Sequence, residues 1–329
     1  MKFVIYGVGA IGGAIGAALS LSGAEVVGIA RGARQAAIAE RGLLLRTPDD
    51  ARRARFPCVS DPAEIAFGPE DAILLTMKTQ DTLAALMRLR SAGVTGQPIF
   101  CVQNGVSNEP LALRRFAEVH AVTVRMPTFV TAPDDVCAFS VPKHGICDIG
   151  RYPSGSNAHD DRLAEALRRA DIGADVWPDV MAWKHGKLLF NLHNALEAIL
   201  GRGVDCTRLH ACVRAEGEAV LRAAGIAWHP VESVDPRRDA MMRFRPIDGV
   251  SYDGGSTTQS LVRGAGSVET DYINGEIALL GRLHGVAAPL NGFLADLVAD
   301  FAERRVRPGS LGNAELEARV AARGIALPA

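Results

Sequence analysis

The sequence predicts an α/β protein in which an N-terminal Rossmann-type doubly wound sheet is followed by an all-helical C-terminal domain. Three observations carry that expectation. An apolar run at residues 3–6 leads directly into the glycine-rich stretch Gly7-Val8-Gly9-Ala10-Ile11-Gly12. Further apolar runs at residues 24–30, 71–77, 98–102 and 121–126 alternate with helical patterns, as βα units of a parallel sheet do. Beyond about residue 177 the apolar period becomes 3.6, near 179–200, 208–224, 270–285 and 291–305, so helices take over.

Taken in order, FVIY (3–6) reads as a buried strand, AIGGAIGAALS as the helix after it and AEVVGIA (24–30) as the second strand. The switch of period places one domain at 1–177 and a second at 178–329. Residues 228–258 carry prolines, glycines and charges and read as loops around a short helix, a length of connection often found in lids and binding segments. After Pro308 one short helix is expected. No repeat or low-complexity tract interrupts the pattern.

Composition narrows the class. With 329 residues, 48% of them hydrophobic, and a net charge of −1, the chain suits a globular protein of two domains. That balance gives no bias toward nucleic acid or a membrane surface. No apolar run approaches the roughly 18 residues of a spanning helix. The first 24 residues superficially resemble a secretory signal, but glycines at 7, 9, 12, 13 and 16 suit a tight strand-to-helix turn better. Six cysteines without CxxC or Cys/His ligand spacing predict small buried hydrophobes in a reducing cytoplasm and no metal site.

The glycine pattern after a strand is a dinucleotide-binding signature. Gly7 permits the turn, Gly9 lets backbone approach a pyrophosphate, and Gly12 allows close packing. The second strand ends in Gly28-Ile29-Ala30-Arg31 with no carboxylate for the ribose hydroxyls; Arg31 suits a 2′-phosphate, with Arg34 as a second cation, so NADP(H) is preferred. Lys78, Gln103 and Asn104 follow strands, at the carboxyl ends where ligands bind in open α/β sheets.

Of 36 basic residues only Lys2, Lys78, Lys143, Lys184 and Lys187 are lysines. On a helix, Trp183, Lys187, Asn191, Asn194 and Ala198 share a narrow stripe, with Leu188, Leu189, Leu192, Leu196, Ile199 and Leu200 on the other side. His185 and His193 point away from the stripe, and Lys184 lies near its edge as a competing lysine. An ammonium and amides on one face suit a carbonyl substrate, the first giving a proton to oxygen and the others holding the substrate.

These motifs resemble the ketopantoate reductase (2-dehydropantoate 2-reductase) family over nearly the whole chain. The matching residues are Gly7, Gly9, Gly12, Arg31, Lys78, Gln103-Asn104-Gly105, Lys187, Asn191, Ser256, Gln259 and the block ETDYING at 269–275. The resemblance implies an NADP(H)-binding Rossmann domain at 1–177, a substrate domain at 178–329, and NADPH with a 2-keto acid meeting in a cleft. It implies Lys187 as general acid, Asn191 and Asn194 as substrate-orienting amides, Ser256 as a substrate contact, and Glu269 as partner of the lysine or the substrate. A homodimer is compatible with this reading.

Two departures bear on the substrate. The family's second asparagine, eight residues after the lysine, is here Ala195, with Asn194 at seven, and Pro-Leu-Thr is replaced by Ala195-Leu196-Glu197. The acid that often follows S-x-x-Q is here Ser260. Three functions therefore remain open: a ketopantoate reductase, an NADP(H)-dependent enzyme of another keto or hydroxy acid, and a non-catalytic NADP(H)-binding protein.

Overall fold

The computed structural model describes residues 1–231 and 235–327. The chain forms two compact units, one made of Met1–Lys184 with Pro230–Tyr252 and the other of His185–His229 with Asp253–Ala329.

In the first unit the chain runs β1 (Lys2–Tyr6), α1 (Ala10–Leu21), β2 (Glu25–Ile29), α2 (Gly32–Arg41), β3 (Leu43–Arg46), β4 (Ala51–Ala54), β5 (Cys58–Val59), β6 (Ala72–Leu75), α3 (Thr82–Ser91), β7 (Ile99–Cys101), α4 (Asn108–Leu113) and β8 (Val119–Arg125). It continues through β9 (Thr128–Ala132), β10 (Asp135–Ala138), β11 (Ser140–Pro142), β12 (Ile146–Arg151), α5 (Ala158–Arg169) and β13 (Gly173–Val176). The main sheet has the order β13-β12-β8-β7-β6-β1-β2-β5. From β5 to β8 every pairing is parallel. The chain moves outward from β1 to β2 and β5, then returns to β6 on the other side, so the strand order reverses at the β1/β6 junction. Ligands of such sheets bind at that junction, beyond the carboxyl ends.

Side-chain alternation along the strands builds two cores, one per face. Phe3, Ile5, Ala72 and Leu74 pack with Ile15 and Leu19 of α1 and with Leu163 and Leu167 of α5. Val4, Ile73 and Leu75 face Leu86 and Leu89 of α3 with Ala112 of α4. Each fully buried Leu or Ile contributes about 1.5–3 kcal/mol of transfer free energy. The sheet is not wholly parallel, because β12 runs antiparallel to β8. A second sheet, β4-β3-β10-β9, covers the far side of α1, with Leu43 and Val136 beside Gly13.

The second unit is helical. The boundary falls inside α6 (Val180–Asn191), which is followed by α7 (His193–Leu200) and α8 (Thr207–Ala223). Residues 230–252 then return to the first unit and form α9 (Pro236–Met241) and β14 (Met242–Phe244), the latter antiparallel to β11. The second unit resumes with α10 (Ser256–Val262), α11 (Asn274–His284), α12 (Pro289–Glu303) and α13 (Asn313–Ala322). Its leucines at 188, 189, 192, 196 and 200 are all buried, as their helical spacing predicts. Among the described residues no helix is long and apolar enough to cross a membrane, and no group of three or more His, Cys, Asp or Glu side chains could hold a metal ion.

Candidate active site

The turn after β1 is built for close backbone approach. Gly7 sits at φ +104, where a Cβ would lie 2.6 Å from the Met77 nitrogen; only glycine tolerates that combination. At Gly12 a Cβ would collide with Thr76 Oγ1 and the Gly7 carbonyl oxygen. Thr76, which the sequence pattern did not single out, holds the turn by donating its hydroxyl to Tyr6 O at 3.0 Å and Gly7 O at 2.8 Å. At Gly9 a Cβ would meet only Gly7 O, at 3.9 Å, so the missing side chain leaves space above the turn. Gly9 is also the N-cap of α1, which has no capping side chain and no acid in its first turn. The orphan N–H groups and the positive end of the helix dipole are thus not neutralised by the helix's own side chains.

Arg31 and Arg34 part company. Arg31, the N-cap of α2, is exposed and lies 3.3 Å from Asp81 Oδ1. Arg34 is occupied: its guanidinium donates to Val8 O, to Gly9 O at 3.2 Å, and to Ala132 O and Pro133 O at 3.1 Å each. It braces the glycine turn against β9 and is not the second phosphate cation its spacing suggested.

At the carboxyl ends of β6 and β7 lie the other residues expected from sequence. Lys78 is half-buried and caps the 3-10 turn Thr79–Asp81. Asn104 is half-buried and Gln103 is buried. The Gln103 amide donates to Thr82 Oγ1 at 2.9 Å and Met77 Sδ at 3.4 Å, and its Oε1 is buried without a partner among the described residues. Asn108 ties the loop together, donating to Thr79 Oγ1 and Asn104 O at 3.2 Å each while accepting from Thr82 at 2.7 Å.

Lys184 is settled by its surroundings. It is 3% exposed, forms an ion pair with the buried Glu109, and donates to Gln103 O at 3.0 Å and Cys101 O at 3.4 Å. A lysine so enclosed pins the backbone beneath Gln103-Asn104. It is not a competing proton donor.

In the second unit the predicted continuous helix is broken. α6 ends at Asn191, Leu192 forms a turn, and α7 starts at His193. A distant side chain is tied to the backbone at this turn. Asn274, from the block 269–275, donates its amide to the Leu192 carbonyl at 3.1 Å and to Asn291 Oδ1 at 3.1 Å. Asn291 in turn donates to Val213 O and Glu216 Oε2. Lys187 is half-buried. Asn191 and Asn194 are 5% and 7% exposed, and among the described residues no hydrogen bond holds either side-chain amide. His193 turns aside, with Nδ1 2.5 Å from Phe190 O and its ring edge-on to His210.

Ser256 opens α10, whose N-cap is Gly255. A Cβ on Gly255 would lie 3.3 Å from Asn194 Oδ1, so the Ser256 end of α10 meets Asn194. Glu197, noted in the sequence only as a departure, fixes that corner by accepting from Gly255 N at 2.6 Å and Thr258 Oγ1 at 2.8 Å. Ser260 turns inward, donating to Ser256 O at 2.8 Å. Glu269 is half-buried and caps the 3-10 turn Thr270–Tyr272, one turn ahead of α11 rather than at the start of that helix.

Trp183 faces a different neighbourhood from the one its stripe suggested. Its ring lies 4.7 Å from the Arg237 guanidinium carbon, 5.8 Å from that of Arg125, and 5.1 Å from Trp177. Arg125 bonds Asp148 at 2.9 Å and Asp235 at 2.7 Å, while Arg237 joins Asp148, Asp175 and Asp235 at 2.6–2.8 Å. Burial pushes the Asp148 carboxyl up against the lowering pull of both arginines. Burial also acts to raise Asp235, but hydrogen bonds from Arg237 and Arg125 outweigh it and hold the carboxyl at about 2. This network and the pairing of β14 with β11 fasten residues 235–244 to the first unit, so that part of the 228–258 segment is anchored. Residues 232–234 lie outside the described residues.

Known families agree with these motifs. Residues 3–153 match the family model "Ketopantoate reductase PanE/ApbA", and residues 179–302 match its C-terminal model. A 2-dehydropantoate 2-reductase of Mesorhizobium japonicum is 32% identical over 334 residues, covering 93% of this chain and 99% of the relative. A crystal structure of a PanE/ApbA family ketopantoate reductase from Ralstonia eutropha superposes with TM-score 0.78 at 28% identity, covering 93% of this chain and 99% of that one. A ternary structure of D-mandelate dehydrogenase with NADH and anilino(oxo)acetate gives TM-score 0.78 at 25% identity, with the same coverage. By its motifs, its fold and these matches, the chain belongs to the ketopantoate reductase family, oxidoreductases that act on a CH–OH group with a nicotinamide dinucleotide.

Proposed function

We propose that this protein reduces a 2-keto acid to the 2-hydroxy acid with NADPH in the cytoplasm, ketopantoate to pantoate being the reaction its family membership favours. Residues 1–177 serve the cofactor and residues 178–329 the substrate. The observation that carries the reading is the placement of Lys187 one turn before Asn191, with the Asn194 amide beyond the break, both amides buried and open to a ligand.

The first unit suits the cofactor. Open space above Gly9, an α1 N-terminus without a capping side chain, and the unpartnered Gln103 Oε1 all fit a dinucleotide. The nicotinamide, when bound, supplies the hydride. Lys187 donates its proton to the keto oxygen as negative charge develops there. Asn191 and Asn194 present amide donors and acceptors that fix the keto acid, and Ser256 adds a hydroxyl at the same corner. Glu269 orients the lysine or the substrate. Arg31, at the end of a β2 that carries no carboxylate there, takes the 2′-phosphate.

The second reading is an NADH-dependent dehydrogenase of a different 2-hydroxy acid, favoured by the likeness to D-mandelate dehydrogenase. Steady-state rates on a panel of 2-keto acids with each nicotinamide decide between them. Ketopantoate with NADPH is expected to give the highest kcat/KM. An aromatic keto acid with NADH in first place establishes the second reading. Tight cofactor binding without turnover of any acid removes both in favour of a silent binder.

A further inference from the structure

The carboxyl end of β1 is flanked by β2 and β6. Arg31 stands just beyond β2 and Asp81 just beyond β6, at the end of the turn Thr79–Asp81. Their ion pair, Nη2 to Oδ1 at 3.3 Å, therefore spans the sheet's switch point, over the strand that leads into the glycine turn. Tyr6, the last residue of β1, lies within the field of Arg31 and also of Arg88 and Asp61, which form a neighbouring exposed pair at 3.5 Å. The cation assigned to the 2′-phosphate thus has a carboxylate on it already.

We infer that Asp81 sets cofactor selectivity by competing with the 2′-phosphate for Arg31. The inference rests on the NADPH reading above. Its physical basis is charge. A 2′-phosphate bidentate on Arg31 would have to share that guanidinium with the carboxylate already on it, whereas the 2′-hydroxyl of NADH does not call on the cation in this way. With side chains 74% and 45% exposed, the pair is weak and screened, so the effect is modest: about two- to fivefold at low salt. Asp81 thereby narrows the gap between the two nicotinamides without touching the reacting atoms.

The test is fluorescence titration of the full-length protein with NADPH and NADH, comparing wild type, Asp81→Asn, Arg31→Ala and the double variant at low and at about 0.5 M salt. Asp81→Asn is expected to tighten NADPH about two- to fivefold, to leave NADH unchanged, and to lose its gain in high salt. In the Arg31→Ala background the same change is expected to do nothing, which separates competition for Arg31 from a general loss of negative field. Unchanged or weakened NADPH binding in Asp81→Asn overturns the role of Asp81, as does equal tightening of both nicotinamides or a gain that survives without Arg31. Equal loss of both nicotinamides in Arg31→Ala instead removes the NADPH reading, and the inference falls with it.

Discussion

The amide of Asn274 reaches the carbonyl of Leu192 at 3.1 Å, and the helix that carries Lys187 ends at that point. One side chain from a distant block is thereby tied to the backbone between Asn191 and Asn194. Asn274→Ala leaves Leu192 O and Asn291 Oδ1 without this donor, in a site 1% exposed. The expected cost is about 1–3 kcal/mol, read as a lower urea midpoint at unchanged slope. A variant as stable as wild type would show that these two bonds add no net stability.

Lys187→Ala is expected to lower kcat by about 10²–10⁴, the range of a general acid, while the NADPH dissociation constant stays within twofold. Retained turnover assigns the proton to another group. A parallel loss of cofactor affinity makes Lys187 a binding residue instead.

Lys184 and Glu109 form a buried pair, and removing one partner strands the other. Lys184→Met is expected to destabilise the protein by about 3–5 kcal/mol, and Lys184→Met with Glu109→Leu to recover most of that. Chemical denaturation of the three proteins checks the cycle. Additive losses in the double variant indicate that the two residues do not act as a pair.

Asp235 makes a prediction about acid. Its folded carboxyl sits at about 2, below the usual value of about 3.9. Its contribution is therefore complete above about pH 4 and is lost as pH falls through about 2. Asp148, raised by burial, works in the opposite direction and flattens the net curve. Wild type is expected to lose stability more steeply between pH 5 and pH 2 than Asp235→Asn, which lacks this carboxylate throughout. Thermal midpoints measured across that interval would run parallel if the Arg125 and Arg237 hydrogen bonds did not hold the charge.

Much of the first unit was legible because its strands are apolar and fully covered, and because Gly7, Gly9 and Gly12 announce the turn. The second sheet was not. β4 is Ala51-Arg52-Arg53-Ala54 with three of four residues exposed, and β3 has only four residues, so neither carries a period long enough to read. The antiparallel β12 was missed because pairing direction is set by connections, not by composition. In the second unit the apolar stripe gave the buried leucines, yet the bond that Asn274 makes at Leu192, 82 residues away in sequence, leaves no local signal. Arg34 failed for a related reason: spacing placed it one turn after Arg31, but nearby backbone carbonyls took its donors. Local pattern finds elements and exposes candidate side chains, while the partner that claims a given donor is a tertiary fact.

The return of residues 230–252 to the first unit has a consequence for biosynthesis. A nascent chain cannot complete its Rossmann body when β13 leaves the ribosome, because β14 and the guanidinium of Arg237 emerge only after three further helices. Asp148 and Asp175 await that late cation, so the amino-terminal half matures only after α7 and α8 of the helical half have been translated. Severing the gene at the domain junction would release a fragment in which Asp148 keeps Arg125 but Asp148 and Asp175 lose Arg237.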